Sequence, residues 1–374
     1  MPLADSARCV SHFNGSWQQN DNAKPAYRAG GADFTHDTPI SRRMASSPMC
    51  HRQQSWKWQW RSQDATCPFH WPTRSQMCRR LARSRVLLFG DSLTQQLVVS
   101  LASMAGNVSS AWKPEGCQDM KHLECIRVCG SQTANICHRT NFGLALDDIP
   151  DSFGNCSTSL RPSDVSPLAK KFAPSCLRRF DLIVLSEGAH WVGNDGAIGM
   201  EQCLVQQGVA KATARSQSQD WIGALFEKQM ARNAAFLHAN VAPARESRTS
   251  IFFRTLAPGL PSADILTPDT PGGSPPTFTA PARRPWVDTL VTKGHSTYNH
   301  HLIPRFNAIA RRAYAMHAPQ LGVIDVADPM ERRVDGHLDA LHYCLPGPPD
   351  WYSAVLWNYL LLPRGPTPGS DARR

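Results

Sequence analysis

The chain has 374 residues, of which 41% are hydrophobic and 19% charged, and a formal charge of +10. That balance fills a substantial core and excludes a disordered or fibrous protein. No stretch reaches the roughly 18–20 uninterrupted apolar residues of a membrane-spanning helix, and the positive charge, carried by far more Arg than Lys, is met by ordinary solubility as readily as by an acidic glycan or membrane partner.

In chain order, Met1 to Val10 lacks the apolar run of a signal peptide. The first eighty residues are rich in Trp, Ser, Gln and Arg with little periodicity, and Trp56, Trp58, Trp60 and Trp71 crowd between Cys50 and Cys78. This predicts a loop-rich lobe over residues 1–80, stapled by disulfides. Twelve cysteines are scattered among polar and turn residues rather than in CxxC pairs: Cys9, Cys50, Cys67, Cys78, Cys117, Cys125, Cys129, Cys137, Cys156, Cys176, Cys203 and Cys344. An even, dispersed set favours disulfides over zinc sites. Asn-x-Ser sequons at Asn14, Asn107 and Asn155 lean the same way,. The expected setting is the secretory pathway, with a leader or membrane anchor lost upstream of Met1.

At Arg85 the texture changes. Val86-Leu87-Leu88-Phe89, ending in Gly90, suits a parallel strand buried on both faces,. Leu93 to Met104 has helical spacing. Further buried strands are expected at Asp181–Leu185, Ser250–Phe253 and Gly322–Val326. Helices are expected at Trp221–His238 and Arg305–Met316, the latter with Phe306, Ile309, Ala310 and Ala313 on one face,. Alternating strand and helix over residues 81–363 predicts an open α/β sheet with covering helices. Residues 258–285 carry eight prolines with Gly, Ser and Thr and form an expected surface insertion; residues 364–374 form an expected flexible tail,.

Two motifs carry chemistry. Gly90-Asp91-Ser92-Leu93 ends a strand and opens a helix, so Ser92 would stand at the sheet's rim, where a helix amino terminus favours developing negative charge and the Ser92 N–H can hold an oxyanion. Asp-Ser before a helix is also a good amino-terminal cap. Late in the chain, Asp339-Ala340-Leu341-His342 lets a carboxylate fold back on an imidazole that takes a proton from Ser92,. Asp335-Gly336-His337 is a competing base and orienter, but alternate residues are poorly placed to pair side chain to side chain. Cys344, two residues after His342, offers the loop a disulfide tether. His295, His300 and His301 lack the carboxylate or cysteine spacing of a metal site, and a serine triad needs none.

The blocks Gly90-Asp91-Ser92-Leu93, Phe252-Phe253-Arg254-Thr255, Asp335-Gly336-His337 and Asp339-x-x-His342-Tyr343-Cys344-Leu345-Pro346-Gly347-x-x-Asp350 resemble the trichome-birefringence-like, PC-esterase branch of the SGNH/GDSL superfamily. Phe13-Asn14-Gly15-Ser16-Trp17 after Cys9, then Trp56-Lys57-Trp58 and Cys67-Pro68-Phe69, are similar to that family's cysteine-rich amino-terminal domain. The resemblance covers nearly the whole chain, thinly between Ala105 and Phe180. It implies an SGNH-type three-layer α/β/α sandwich around a parallel sheet. It also implies a Golgi-lumenal O-acetyltransferase acting on cell-wall polysaccharide, with the acetyl group carried on Ser92, acetyl-CoA or another acetyl ester as donor, no cofactor and no nucleic-acid partner.

Some positions depart from the family pattern. Gln95-Gln96 stands where Arg-Asn or Arg-Gln is usual. Gly188-Ala189-His190-Trp191 stands for Gly-x-Asn-Asp, which makes His190 either an oxyanion donor or a core histidine. Gly130, after Cys129, is a counterpart for the family's oxyanion glycine. Arg254, ending a buried strand, either holds a substrate carboxylate or sits in a structural ion pair. Two rivals to the transferase share the sequence: an SGNH acetylesterase with water as acceptor, and an inactive glycan-binding protein whose exposed tryptophans stack on sugars.

Overall fold

A computed structural model describes residues 15–25, 27, 55–65, 68–82, 84–110, 113–118, 123–140, 166–193, 196–241, 249–257, 259, 299–333, 336–339 and 341–361. The 258–285 insertion (residue 259 apart), the 364–374 tail, Cys9, Cys50, Cys67, Cys156, Asn14, Asn155 and His295 lie outside the described residues.

Strands β1 (Gly15–Gln19) and β2 (Trp58–Ser62) pair antiparallel with Trp17 opposite Trp60. Opposed residues turn to the same face, and there both indoles meet Trp351, the ring centroids lying 5.4 to 5.6 Å apart. Arg333 covers the Trp17 ring at 4.3 Å, and Trp17 Nε1–H donates to Pro329 O at 2.7 Å. The small sheet therefore shares one apolar cluster with the rest of the molecule.

Helix α1 (Arg74–Leu81), started by a capping box between Thr73 and Gln76, leads into β3 (Arg85–Gly90). Residues Val86 to Gly90 are all buried, as an uninterrupted apolar run in a parallel sheet requires,. Helix α2 (Ser92–Ala105) follows. The chain then moves to one edge through β4 (Ser109–Ser110) and β5 (Leu123–Arg127), antiparallel neighbours, and returns in β6 (Asn135–Thr140), which pairs parallel with β3. After α3 (Pro167–Lys171) and α4 (Pro174–Leu177), β7 (Leu182–Leu185) takes the other side of β3. Next come α5 (Ala189–Val192), α6 (Ala197–Gln206), α7 (Lys211–Asn240), β8 (Ser250–Arg254), α8 (Ile303–His317), β9 (Gly322–Ile324), α9 (Ala327–Glu331) and α10 (Pro348–Leu361).

The sheet has seven strands in the order β4-β5-β6-β3-β7-β8-β9, parallel from β6 to β9. From β3 the chain travels first toward β6 and later toward β9. Right-handed crossovers in opposite directions put their helices on opposite faces, and the helices accordingly pack as two groups, α1/α2/α10 and α6/α7/α8. This is an SGNH-like α/β architecture. The carboxyl end of β3 lies at the point where the direction reverses, the crevice in which open α/β sheets place ligands.

The structure adds helices that were not expected, α1, α6 and α10 among them, and differs from the expected elements in β5 and β6, α7 and β9. β5 and β6 carry no long apolar run; Ile136 and Cys137 are buried beside the polar His138. Helix α7 begins ten residues before Trp221, because Lys211–Asp220 is a mostly solvated, breaker-free stretch that simply extends it. β9 ends at Ile324 rather than Val326, because Thr255 Oγ1 accepts from the N–H groups of Val326 and Ala327 at 2.9 and 3.3 Å and turns the chain into α9.

Disulfides Cys78–Cys129, Cys117–Cys176 and Cys125–Cys137 brace the β4–β6 side of the sheet, and Cys203 and Cys344 are also disulfide-bonded. No described cysteine is free. Such bonds belong to an oxidising secretory or extracellular environment. Asn107 of the second sequon is exposed. Among the described residues no helix is long and apolar enough to cross a membrane.

Trp351 is fully buried where the small sheet meets α10. Trp351→Ala is expected to cost about 3–5 kcal/mol in urea unfolding, the range for truncating a large buried aromatic; a loss below about 1 kcal/mol would show that the cluster does not join the two parts.

Candidate active site

β3 can end beside α2 and β7 because Gly90 has no side chain. A Cβ there would lie 2.3 Å from Thr94 Oγ1 and 2.4 Å from Ser186 O. The next residue, Asp91, takes an extended conformation as the α2 cap, and its Oδ1 accepts from Leu93 N–H at 3.1 Å. Asp91 thus does the capping and Ser92, in the first turn, is left for other work. Its N–H has no acceptor within the helix, and the helix amino terminus adds partial positive charge beside Oγ.

The partner of Ser92 arrives from 250 residues away: His342 Nε2 lies 2.7 Å from Ser92 Oγ. The other ring nitrogen, Nδ1, is 2.9 and 3.1 Å from Asp339 Oδ2 and Oδ1. Asp339 Oδ1 also accepts the backbone N–H groups of Leu341 and His342 at 2.8 and 2.7 Å, a tight turn that the three-residue spacing allows. Burial opposes charge on Asp339, but the hydrogen bond and charge of His342 and the two backbone donors outweigh it and hold the carboxyl well below its usual range. An ionised carboxylate at Nδ1 keeps the proton there and leaves Nε2 as a base toward Ser92.

The loop bearing His342 is braced on several sides. His337 and Tyr343 form an antiparallel bridge, Leu338 N–H donates to His342 O and Cys344 N–H to Gly336 O, both at 2.7 Å. Cys344 is disulfide-bonded. Asp350, at the start of α10, accepts from Gly347 N–H, Tyr27 Oη–H and Ser100 Oγ–H at 2.9, 2.7 and 2.7 Å. Burial nevertheless pushes its carboxyl up to about 6.

The other sequence candidates fall differently. His337 is 2% exposed, 4.2 Å from the Tyr343 ring, with Nδ1 on the Asp339 carbonyl; burial pushes it down to about 3, so it is a neutral structural histidine. His190 lies in the first turn after β7, half-buried at the same rim as Ser92. Gly130 requires a correction. It occupies the turn between β5 and β6, at the Arg85 end of the sheet, where the Cys129 N–H donates to Gly106 O at the carboxyl end of α2. A fourteen-residue helix separates it from Ser92, about 20 Å, so it cannot reach an oxyanion at Ser92,.

Arg254 is 2% exposed and lies beneath the site, not on its surface. Its guanidinium donates to Ser186 Oγ and Thr94 Oγ1 at 2.9 and 3.2 Å and lies 5.1 Å from the Tyr352 ring centroid. Burial lowers its pKa, opposed by Tyr352 and the Asp91 carboxylate. It ties α2 to β7. Sequence reasoning did not identify Thr94, Ser186 or the contact of Gln96 with the catalytic loop; the departure at this pair lies at Gln95, where Arg is usual.

A hydroxyl, an imidazole and a carboxylate linked in series at the carboxyl rim of a largely parallel sheet can activate the hydroxyl for attack on an ester, the chemistry of an acyl-transferring or ester-hydrolysing enzyme. Residues 73–362 match PC-Esterase, the GDSL/SGNH-like acyl-esterase family found in Pmr5 and Cas1p, and the chain belongs to that family. No curated protein matches it.

Because Asp339 is held below its unfolded value near 4, it adds stability above about pH 4, and that gain disappears as pH falls through the lower folded value,. Asp339→Asn removes the gain. In denaturant unfolding the stability difference between wild type and Asp339→Asn should shrink as pH falls below about pH 4; a difference that does not change from about pH 4 down to about pH 2 would contradict the ionised pair.

Proposed function

We propose that the protein is a polysaccharide O-acetyltransferase that carries the acetyl group on Ser92. The observation that bears most weight is the unbroken line from Ser92 Oγ through His342 to Asp339, within a chain of acyl-esterase family. In the first half-reaction Ser92 Oγ attacks the carbonyl carbon of an acetyl donor, acetyl-CoA or another acetyl ester, and its proton passes to His342 Nε2. The Ser92 N–H and the α2 amino terminus hold the oxyanion, with His190 at the same rim as a second donor. The donor's leaving group departs with that proton, leaving acetyl-Ser92.

In the second half-reaction a sugar hydroxyl gives its proton to His342 and attacks the acyl carbon, and Ser92 leaves reprotonated. Every residue in this sequence would serve water equally well as acceptor. The support for a glycan hydroxyl is the likeness of the Asp339-to-Asp350 block and the amino-terminal lobe to trichome-birefringence-like proteins, which also supports a Golgi-lumenal setting. The glycan-binding alternative relies on exposed tryptophans; of the described ones, Trp56, Trp58, Trp71 and Trp221 are half-buried and the others buried.

The test is incubation of the purified protein with an acetyl donor and wall oligosaccharides, following acetyl gain on the glycan beside free acetate. Transfer predicts acetylated glycan in excess of acetate, and loss of both products in a folded Ser92→Ala variant, by roughly 10³-fold or more. Acetate alone would make the protein an esterase. Retained glycan binding with neither product would overturn the enzymatic reading.

A further inference from the structure

Gln96, next to the Gln95 that stands where the family pattern has Arg, is 1% exposed in α2, four residues after Ser92 and on the same helix face,. Its Nε2–H donates to Tyr343 O at 2.8 Å, and its Oε1 accepts from Tyr343 N–H at 3.2 Å. The amide pairs with both backbone groups of Tyr343 as a neighbouring peptide would. One face of one helix thus meets two successive loop residues: Ser92 touches the His342 ring and Gln96 grips the backbone of Tyr343.

The bridge between His337 and Tyr343 and the Cys344 N–H bond to Gly336 O hold the loop to itself. Gln96 instead holds it to the helix that carries the serine. We propose that Gln96 is a positioning residue that sets the distance between Ser92 Oγ and His342 Nε2. The role rests on Ser92 being the nucleophile of the proposed function. Without the amide, a buried N–H and C=O lose their partners and the loop can pivot; a displacement of about 1 Å at reacting atoms costs on the order of 10²-fold in rate.

Two variants separate positioning from packing. Gln96→Met fills similar space without either hydrogen bond. Gln96→Glu keeps the shape: its ionised carboxylate can accept from Tyr343 N–H but opposes Tyr343 O with a second acceptor, whereas the protonated carboxyl donates there and restores both bonds.

The measurement is the rate at which a fluorophosphonate labels Ser92, followed by intact mass from about pH 5 to pH 8. Ser92 Oγ forms the O–P bond, fluoride leaves, and the hydroxyl proton passes to His342 Nε2, so the rate reports the serine–histidine pair without needing the natural donor or acceptor. Gln96→Met should label roughly 10- to 100-fold more slowly at saturating probe, with the half-saturating probe concentration unchanged. The Gln96→Glu rate divided by the wild-type rate should rise as pH falls, while the Gln96→Met ratio stays flat. A wild-type rate in Gln96→Met, or a flat Gln96→Glu ratio, overturns the positioning role; if Gln96→Met does not fold, the Gln96→Glu ratio decides alone. A wild-type protein that labels no faster than Ser92→Ala overturns the nucleophile itself, and the positioning role with it.

Discussion

The contact between Ser92 Oγ and His342 Nε2, 2.7 Å long, joins residues 250 positions apart, and most of the surrounding architecture serves to keep it. Helix α2 fixes one side. It is buried on nearly every side between the sheet, α1 and α10, its first turn capped by Asp91 and tied from below by Arg254 through Thr94 and Ser186. The loop from Gly336 to Gly347 fixes the other side through its own backbone bonds, the Cys344 disulfide and the grip of Gln96 on Tyr343. A hydrogen bond between two mobile groups would be made and lost on thermal timescales; between two braced ones it is a standing geometry.

Electrostatics in this region follow from depth. Asp339, partly exposed and met by three hydrogen-bond donors, stays ionised where the imidazole needs a negative partner. Asp350, deeper and also hydrogen-bonded, is pushed the other way, because burial there exceeds what its donors return. Two carboxylates eleven residues apart therefore differ in charge behaviour through depth of burial and through the charge of His342 beside Asp339,. His337 shows the same rule for a cation: close to Asp339, yet neutral because it is fully enclosed.

The strands that build the central sheet were legible wherever the chain is apolar without interruption, as in β3, β7 and β8, since only a strand covered on both faces reads that way. β6, beside β3 at the heart of the sheet, was not, because it places His138 and a disulfide-bonded Cys137 indoors instead of aliphatic residues. The site divides along the same line. Ser92, Asp339 and His342 lie in short local motifs whose chemistry is evident from spacing, and their meeting was legible. Gly130 depended on knowing at which end of the sheet the β5–β6 turn falls, and the depth of Arg254 depended on what covers the end of β8; both are properties of the assembled fold. Gln96 stood beside the unusual Gln95 without itself departing from the pattern, and acquired a role only when Tyr343 was placed opposite it.

The central claim is that Ser92 carries the acyl group. Rapid acid quenching of the enzyme during turnover of an acetyl ester, followed by peptide mapping, tests it most directly. One acetyl group on the Ser92 peptide, appearing faster than product and draining when acceptor is added, is the result predicted. Turnover with no acetyl on that peptide would contradict the account.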